Sequence, residues 1–341
     1  MQQKIDFVVT WLDASDPEWQ RQYDEYKGVS KSGDQSAARF RDWDLFKFWF
    51  RAVEKNAPWV NKVFLVTNGT FPKWINHDNP KLVLVRHDEY IPKEMLPTFN
   101  SCTIELNMNK IKGLSEHFVY FNDDCYVNQP VEPEFYFVDG LPCDNNAETL
   151  FNTTIYNPVD RFSIRISMFT NVCVLNRHFN RREVWRQSKK RWFGRHLGKT
   201  DLLTSLFLTM KKRKQFVGFN WRHTELPLLK SVMNEAWEKE PGMLTESCTR
   251  FREEVILNPY FFRYWQFASN RFHPVKLKGS LKLRTTRGEL KSIIRSLKDN
   301  SIKSLCINDT AQCSDEDFEE IKKAIHAALL EKFPEKSSFE I

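Results

Sequence analysis

The 341-residue chain is long enough to bury a substantial core, as one large domain or two closely joined ones. Hydrophobic residues at 41% and charged residues at 28% are typical of a globular enzyme, and no apolar run reaches the roughly 18 residues of a membrane-spanning helix. Seven cysteines without a Cys-x-x-Cys pair argue against a disulfide framework or structural zinc and favour a reducing cytoplasm, while the net charge of +7 indicates a basic surface.

Apolar strands alternate with helices in the first 121 residues, at the spacing of βαβ units. The strands are predicted at 5–11, 63–67, 82–85 and 118–121. Ser15 or Asp16 caps a predicted helix with Pro17 at its first position. Further helices are predicted at 43–53, from Pro72 and at 103–111. The alternation predicts an α/β fold with a mainly parallel, twisted sheet flanked by helices.

Polar residues close three of these strands. Asp13 follows the first strand, His87 follows the third, and Asn122-Asp123-Asp124 follows the fourth. The carboxyl ends of parallel strands share one edge of a sheet, where ligands bind, so these residues predict a site. Carboxylate oxygens suit Mg²⁺ or Mn²⁺, ions that usually accompany phosphate groups. The alternative is an acidic turn without a ligand, since Asn and Asp are common turn residues.

The pattern beyond residue 131 is less regular. It predicts a strand at 172–175, helices at 200–210 and 226–237, and a strand pair at 275–284 that turns at Lys278-Gly279. A short strand at 304–307 ends on Asn308-Asp309 and so adds a second strand-end acid. The last predicted helix begins at Ser314, with Asp317 in a variant capping box.

Basic residues are concentrated between residues 181 and 214. They are Arg181-Arg182, Lys189-Lys190-Arg191, Arg195 and Lys211-Lys212-Arg213-Lys214. Such a segment binds anionic lipid, phosphorylated substrate or nucleic acid, or forms only a solvated helix face. The interleaved Trp185, Trp192 and Phe193 favour contact with a membrane surface. None of the usual recognition motifs supports nucleic acid as a partner.

Four sequence blocks, in order along nearly the whole chain, resemble those of the Stealth family. The first runs from Ile5 to Pro17. The second includes Arg39-Phe40-Arg41-Asp42, Val66-Thr67-Asn68-Gly69, Leu96-Pro97-Thr98-Phe99-Asn100-Ser101, Ile104-Glu105 and Tyr120-Phe121-Asn122-Asp123-Asp124. The third runs from Trp221-Arg222-His223 to Arg250-Phe251-Arg252, and the fourth is Cys306-Ile307-Asn308-Asp309. Two details depart from the family pattern: Pro227 lies two places late after His223, and Thr310 follows Asp309 where an acid is usual.

Stealth proteins are the sugar-1-phosphate transferases of bacterial capsule and exopolysaccharide synthesis, and they include the animal lysosomal-enzyme N-acetylglucosamine-1-phosphotransferase. The resemblance implies transfer of a sugar-1-phosphate from a UDP-sugar to a hydroxyl of a growing glycan or a lipid-linked oligosaccharide. The product is a phosphodiester and the released nucleotide is UMP. Such a reaction depends on positioning and on neutralising phosphoryl charge.

The resemblance also implies roles for individual residues. His223 is the general base, or the nucleophile if a phospho-enzyme forms, and Arg252 clamps phosphate. Asp124 and Asp309 hold a divalent cation, Mg²⁺ or alternatively Mn²⁺, or contact the acceptor, with Asp123 as the next choice. The expected substrate-binding residues are Trp11, Asp13, Arg39, Arg41, Asn68, Asn100, Ser101 and Asn122.

We therefore expect a Rossmann-like or glycosyltransferase-A-like nucleotide-sugar fold with helical additions, in one catalytic domain over 1–341. Within it, 1–135 form the nucleotide-sugar half, 136–313 the acceptor-side half and 314–341 the C-terminal helix and tail. The expected location is the cytoplasm, with peripheral contact at the inner membrane face.

Two other functions remain as alternatives. A conventional glycosyltransferase would share the donor, the cation and the strand-end acids, but would break the bond to the sugar carbon and release UDP. A non-catalytic glycan-binding component of a capsule assembly complex would tolerate the loss of Asp124 and His223. Patterning alone does not separate the first alternative from a phosphotransferase; the family blocks do.

Overall fold

The central sheet of the computed structural model has five strands in the order β3-β2-β1-β4-β8. They are β1 (Ile5–Thr10), β2 (Val63–Thr67), β3 (Leu82–Arg86), β4 (His117–Phe121) and β8 (Leu226–Leu229). The first four strands pair in parallel, and β8 pairs antiparallel with β4 at the edge. The structure describes residues 3–28, 41–149, 164–253, 256–310 and 313–341. The predicted α/β class with a mainly parallel sheet is confirmed.

The central strands are nearly continuous apolar runs because helices cover both faces of the sheet. All five residues of β2 are buried, as are four of the five residues of β4. Helix packing supplies large aromatic side chains: Phe48, Trp49 and Phe50 are all inaccessible to solvent. This burial holds the polar strand ends at one edge of a rigid support.

Twelve α-helices surround the sheets in the described part of the chain. They are α1 (Pro17–Lys27), α2 (Phe46–Asn56), α3 (Ser101–Leu106), α4 (Ile164–His178), α5 (Arg181–Gln187), α6 (Lys189–Trp192), α7 (Lys199–Met210), α8 (Lys230–Lys239), α9 (Pro241–Ser247), α10 (Tyr260–Ala268), α11 (Arg287–Lys298) and α12 (Asp315–Lys332). Short 3-10 helices span His87–Glu89, Lys93–Met95, Met108–Lys110 and Pro133–Phe135. The predicted caps are present, since Asp16 accepts from the Glu18 amide and Ser314 from the Asp317 amide.

A second sheet meets the central one at the end of β4. It contains β5 (Cys125–Val127), β10 (Ser280–Arg284) and β11 (Ser304–Asn308), in the order β10-β11-β5. β5 begins directly after Asp124 and runs antiparallel to β11, with Cys125 opposite Cys306. The carboxyl end of β11 therefore lies beside the carboxyl end of β4. A third small sheet joins β6 (Phe137–Val138), β7 (Leu141–Asp144) and β9 (His273–Pro274).

Four local predictions were wrong. Residues 72–75 form a turn and a β-bridge from Ile75 to Glu340 rather than a helix start. The predicted strand at 172–175 lies inside α4, because a short apolar run does not by itself distinguish a strand from a largely buried segment of a helix. Residues 226–229 are strand β8 rather than the first turn of a helix. The predicted pair at 275–284 does not form, because β9 pairs with β7 and β10 with β11.

The basic segment is also built differently from its prediction. Trp192 is 1% exposed and its indole nitrogen donates to Asn270, while Trp185 and Phe193 pack against the core. Trp192 is therefore a core residue, and Trp185 and Phe193 are partly buried against the core. Arg181 is buried too, in an ion pair with Glu148. The exposed charges of the segment include Arg186, Lys189 and Lys190.

Each of the seven cysteines is a free thiol, and Cys173 alone is exposed. Among the described residues, no helix has both the length and the apolar character needed to cross a membrane. The proposed division near residue 135 stays a prediction.

Candidate active site

A cleft of about 1480 Å³ opens along the carboxyl edge of the central sheet. Its floor is formed by the strand ends, with Trp11 and Asp13 after β1, the acidic turn after β4 and Asn308 at the end of β11. The loop before β8 contributes His223, and the chain after α9 contributes Arg252. The convergence predicted for strand-end residues is therefore present in the fold.

Asp124 is the centre of the polar contacts in this cleft. Its Oδ2 accepts a hydrogen bond from Asn308 Nδ2 at 3.0 Å and lies 3.7 Å from His223 Nε2. Its Oδ1 accepts from the Cys125 thiol at 3.2 Å, and its backbone carbonyl accepts from the Ile307 amide at 2.9 Å. The β5–β11 pairing thus fixes this carboxylate from both its side chain and its backbone.

The environment of Asp124 keeps it ionised. Burial alone would raise the pKa of this carboxyl group, but the His223 ring at 3.7 Å, together with hydrogen bonds from Asn308 and Cys125, lowers the pKa to about 2. The Asp124 carboxylate, 3.7 Å from His223 Nε2, orients the imidazole ring with this nitrogen toward Asp124. His223 and Asp124 therefore form a pair able to accept a proton from a bound hydroxyl.

Arg252 lines the cleft and contacts the start of α3. Its Nη2 donates to Ser101 Oγ at 2.8 Å, at the first residue of α3. One turn later, the carboxylate of Glu105 lies 2.8 Å from the Tyr120 hydroxyl, and Asn122 Oδ1 lies 2.6 Å from the same hydroxyl, whose single proton is donated to one of these two acceptors at a time. Burial raises the pKa of Glu105, which is opposed by its Tyr120 hydrogen bond and by the charge of Arg252. This chain of contacts links α3 to the acidic turn.

Asp309 ends the second sheet and is held by one of its two carboxylate oxygens. Oδ1 accepts from the Thr310 amide at 2.6 Å and from Thr285 Oγ1 at 3.1 Å, and it lies 3.9 Å from Arg41 Nη1. Oδ2 is buried and has no hydrogen-bond partner within the described ranges. A buried carboxylate oxygen left in this way fits a cation or a ligand donor.

The described residues include one group with ligand atoms close enough to share a metal ion: Asp124, Cys125 and Cys306, within 4.8 Å of one another. Burial raises the pKa of the Cys306 thiol to about 11, and sulfur is a soft donor that does not suit Mg²⁺ or Mn²⁺. The hard oxygen donors that fit Mg²⁺ or Mn²⁺ are Asp124 and the Oδ2 of Asp309.

Six of the remaining predicted residues line the cleft. Trp11 lines the cleft and stacks on Phe46, with ring centroids 5.9 Å apart. Asp13 lines it as well, while its Oδ1 accepts from the amide and hydroxyl of Ser15. Arg41, Ser101, Asn122 and Asp123 are further lining residues.

Two predicted contacts do not reach the cleft, and one lies outside the described residues. Asn68 accepts from the Thr70 amide at 3.4 Å and is not a lining residue. Asn100 has no solvent exposure; it caps α3 through the Cys102 amide and donates to Thr249. Arg39 lies outside the described residues.

Three residues with site contacts were not predicted as site residues. Asn308 carries a signal that sequence reasoning could have used, because it is the strand end next to Asp309. Glu105 and Tyr120 belong to the second family block but have no chemical signal of their own, since an acid in a short helix and an aromatic residue in a strand are ordinary. Their contact depends on how α3 packs over β4.

Comparison with known proteins gives matches over the whole chain. Residues 3–30 match the family model "Stealth protein CR1, conserved region 1" and residues 39–143 match "Stealth protein CR2, conserved region 2". The receptor polysaccharide phosphotransferase WefC of Streptococcus oralis is 39% identical, over 99% of this chain and 99% of the relative. The capsular polysaccharide phosphotransferase WcwK of Streptococcus pneumoniae is 38% identical over the same shares. The exopolysaccharide phosphotransferase cps2G of Lactiplantibacillus plantarum is 36% identical, over 98% of this chain and 96% of the relative.

The solved structures are much less similar. The galactosyltransferase LgtC in complex with donor and acceptor sugar analogues is 8% identical, covering 94% of this chain and 95% of that chain, with a TM-score of 0.38. A likeness this low carries no argument about fold or function. The full-length matches at 36–39% identity, together with both conserved-region models, confirm the resemblance seen in the sequence. The chain belongs to the Stealth family.

Proposed function

We propose that this enzyme transfers a sugar-1-phosphate from a UDP-sugar to a hydroxyl of a growing cell-surface polysaccharide, releasing UMP. The names of its full-length relatives, which are capsular, exopolysaccharide and receptor polysaccharide phosphotransferases, support the reaction class. The observation that carries the proposal is the His223–Asp124–Asn308 contact in a large cleft beside an arginine. A hydroxyl activator and a phosphate clamp are what a phosphoryl transfer needs.

In the proposed reaction, the acceptor oxygen forms a bond to the phosphorus that bears the sugar. The hydroxyl proton passes to His223, whose Nε2 side faces Asp124 and whose other ring nitrogen is then the base. The bond from that phosphorus to the bridging oxygen breaks, and UMP leaves with the electron pair. Asp124 stabilises the imidazolium that forms. If His223 instead attacks phosphorus, a phosphohistidine precedes transfer to the acceptor.

Arg252 would neutralise charge on the transferred phosphoryl group. A guanidinium offers forked donors that match phosphate oxygens, and its hydrogen bond to Ser101 holds its orientation toward the cleft. Trp11 and Asp13, at the end of β1, are the proposed contacts for the nucleoside. Arg41, Ser101 and Asn122 are proposed contacts for sugar and phosphate oxygens.

A divalent cation, Mg²⁺ or Mn²⁺, would be held by Asp124 and Asp309. When bound, it would neutralise charge on the donor diphosphate. The Oδ2 of Asp309, buried and without a hydrogen-bond partner among the described residues, supports this assignment. Arg41 Nη1 lies 3.9 Å from Asp309 Oδ1. The Arg41 guanidinium would therefore add a second positive charge, besides the cation, next to the diphosphate.

The proposed partners are a UDP-sugar donor and a glycan or lipid-linked oligosaccharide acceptor. We also propose a cytoplasmic location with peripheral contact at the inner membrane face, where such an acceptor lies. Exposed lysines and arginines of the segment 189–214 support contact with anionic lipid.

The test is to identify the nucleotide that the purified protein releases from a panel of UDP-sugars with Mg²⁺ and a glycan acceptor extract. Attack at phosphorus releases UMP and leaves a phosphodiester that phosphorus NMR detects in the product. Release of UDP would mean attack at the sugar carbon and would overturn the proposal in favour of a glycosyltransferase. The His223→Ala variant is the negative control, since it should release neither UMP nor UDP above the uncatalysed rate.

A further inference from the structure

Helix α7 presents an apolar stripe to solvent. Leu203, Leu206, Phe207 and Met210 are 66%, 42%, 48% and 73% exposed. Their spacing of three, four and seven residues puts them on one face of a helix. Helices of soluble proteins normally turn such a stripe toward the core, so this helix is oriented the opposite way.

The fold fixes that orientation. Ser205 and Leu208, on the other side of the helix, are each 1% exposed. Arg181 Nη2 donates to the Ser205 carbonyl at 3.2 Å, and Arg181 Nη1 donates to Thr209 Oγ1 at 3.3 Å. Arg181 is itself in a fully buried ion pair with Glu148, at 2.6 Å. Turning the stripe inward would break a buried charge network, which is strongly unfavourable.

Basic side chains lie at the C-terminal end of the stripe. Lys211, Lys212, Arg213 and Lys214 follow the helix directly and are all exposed. Lys211 Nζ lies 5.7 Å from the Phe207 ring centroid, so charge and apolar surface are adjacent. Between residues 199 and 214, Asp201 is the one acid in the sequence.

We propose that α7 and the basic turn after it bind an anionic lipid bilayer. Leu203, Leu206, Phe207 and Met210 enter the boundary between headgroups and acyl chains, and the cluster Lys211–Lys214 contacts lipid phosphates. An interfacial helix of this kind needs an apolar face and flanking basic residues, and both are present here. A second copy of the chain is a poorer occupant, because its stripe carries the same basic cluster and no complementary acidic one.

Only the role of this membrane binding, which is to hold the enzyme beside a lipid-linked acceptor, rests on the proposed function. The binding itself needs neither donor nor catalysis. Failure of membrane binding and failure of the phosphotransferase proposal are therefore separate results.

The experiment is flotation of the full chain with vesicles of phosphatidylcholine, alone and mixed with phosphatidylglycerol. We expect flotation with the mixed vesicles only. Lys211→Glu/Lys214→Glu should weaken binding by roughly 25-fold or more, at about fivefold for each basic residue lost. Leu206→Asn/Phe207→Asn should abolish it at unchanged charge. The matched control is Lys323→Glu/Leu330→Asn on the exposed side of α12, which should float like the wild type.

Absence of flotation of the wild type with mixed vesicles would overturn the proposal, as would equal binding by the Leu206/Phe207 variant. Loss of binding in the α12 control would mean that binding depends only on the overall surface charge, and it would also overturn the proposal.

Sedimentation velocity tests whether a second copy of the chain covers the stripe instead. A dimer that the Leu206/Phe207 variant dissociates would make the stripe a contact between copies instead of a lipid contact. Circular dichroism and UMP release with a soluble acceptor should be unchanged in all three variants.

Discussion

Asn308 Nδ2 donates to Asp124 Oδ2 at 3.0 Å and joins the ends of two strands from different sheets. The same amide nitrogen lies 3.5 Å from His223 Nε2. Asn308 therefore touches both members of the proposed proton-accepting pair while carrying no charge. It is a positioning residue, and its neutral amide is the simplest group that can donate to the carboxylate without competing for the proton.

We predict that Asn308→Ala lowers kcat by about 10- to 100-fold, the cost of losing one hydrogen bond to a charged group. Asn308→Asp should be worse, because it sets a second negative charge against Asp124 in a partly buried site. Rates from UMP release test both. If Asn308→Asp were as active as the wild type, the contact would have no part in positioning Asp124.

His223→Gln should reduce kcat by about 100- to 10,000-fold with little change in KM for the donor, because the amide cannot take a proton. Rapid quenching with donor labelled in the sugar-bearing phosphate distinguishes the two roles of His223. No labelled protein is expected in direct transfer, whereas an acid-labile, base-stable label would indicate a phosphohistidine. His326→Gln, on α12, is the matched control and should retain full activity.

The strands, and the sheet edge at which the site lies, could be predicted because short stretches of sequence indicate them. Continuous apolar runs closed by Asp13 or by the Asn122–Asp124 turn read directly as strand ends at one sheet edge. Residues 226–229 could not be assigned locally, since β8 exists through its pairing with β4 and its sequence continues into α8. The contact between Asn308 and Asp124 likewise depends on β11 pairing with β5, across about 180 residues of chain.

The same limit explains the two amides that do not reach the cleft. Asn68 and Asn100 belong to the family blocks, but the blocks do not distinguish a ligand contact from a turn or a helix cap. Asn100 lies at the start of α3, where a side-chain oxygen satisfies the free amide of Cys102. Its position supports Ser101, the next residue, which does face the cleft.

Arg252→Lys should lose most of the activity that Arg252→Ala loses, because a single ammonium cannot reproduce the forked contact with phosphate. Ser101→Ala removes only the hydroxyl that accepts from Arg252 and should raise the donor KM several-fold with a smaller change in kcat. Steady-state kinetics on the three variants test this order. Near-normal activity of Arg252→Lys would mean that the site needs a positive charge but no specific geometry.

Removing divalent cations with EDTA should abolish UMP release, and Mg²⁺ or Mn²⁺ should restore it. Asp309→Asn should raise the Mg²⁺ concentration for half-maximal rate by about tenfold or more, since it replaces a charged ligand. Glu319→Gln, an exposed acid on α12, is the matched control. An unchanged Mg²⁺ requirement in Asp309→Asn would remove this residue from the cation site.

His87 provides a pH-dependent prediction about stability. It lines the cleft, and burial lowers its pKa from 6.5 to about 4, with only a small opposing effect from Asp88. The unfolded chain therefore binds the proton first as the pH falls. The stabilising contribution of neutral His87 is complete above pH 6.5 and is lost as the pH falls through 4, to a total of about 3 kcal/mol.

Urea unfolding at a series of pH values measures this loss. The free energy of unfolding of His87→Leu should fall less than that of the wild type between pH 6.5 and 4, whatever the absolute stability of the variant. His77→Leu, at an exposed position, is the matched control for the substitution of a histidine by leucine. Burial also raises the pKa values of Glu105 and Glu225, so their protonation stabilises the fold as the pH falls. This contribution is the same in the wild type and in His87→Leu, and it cancels when their free energies of unfolding are subtracted. Parallel curves for His87→Leu and the wild type would mean that His87 is hydrated in the folded protein.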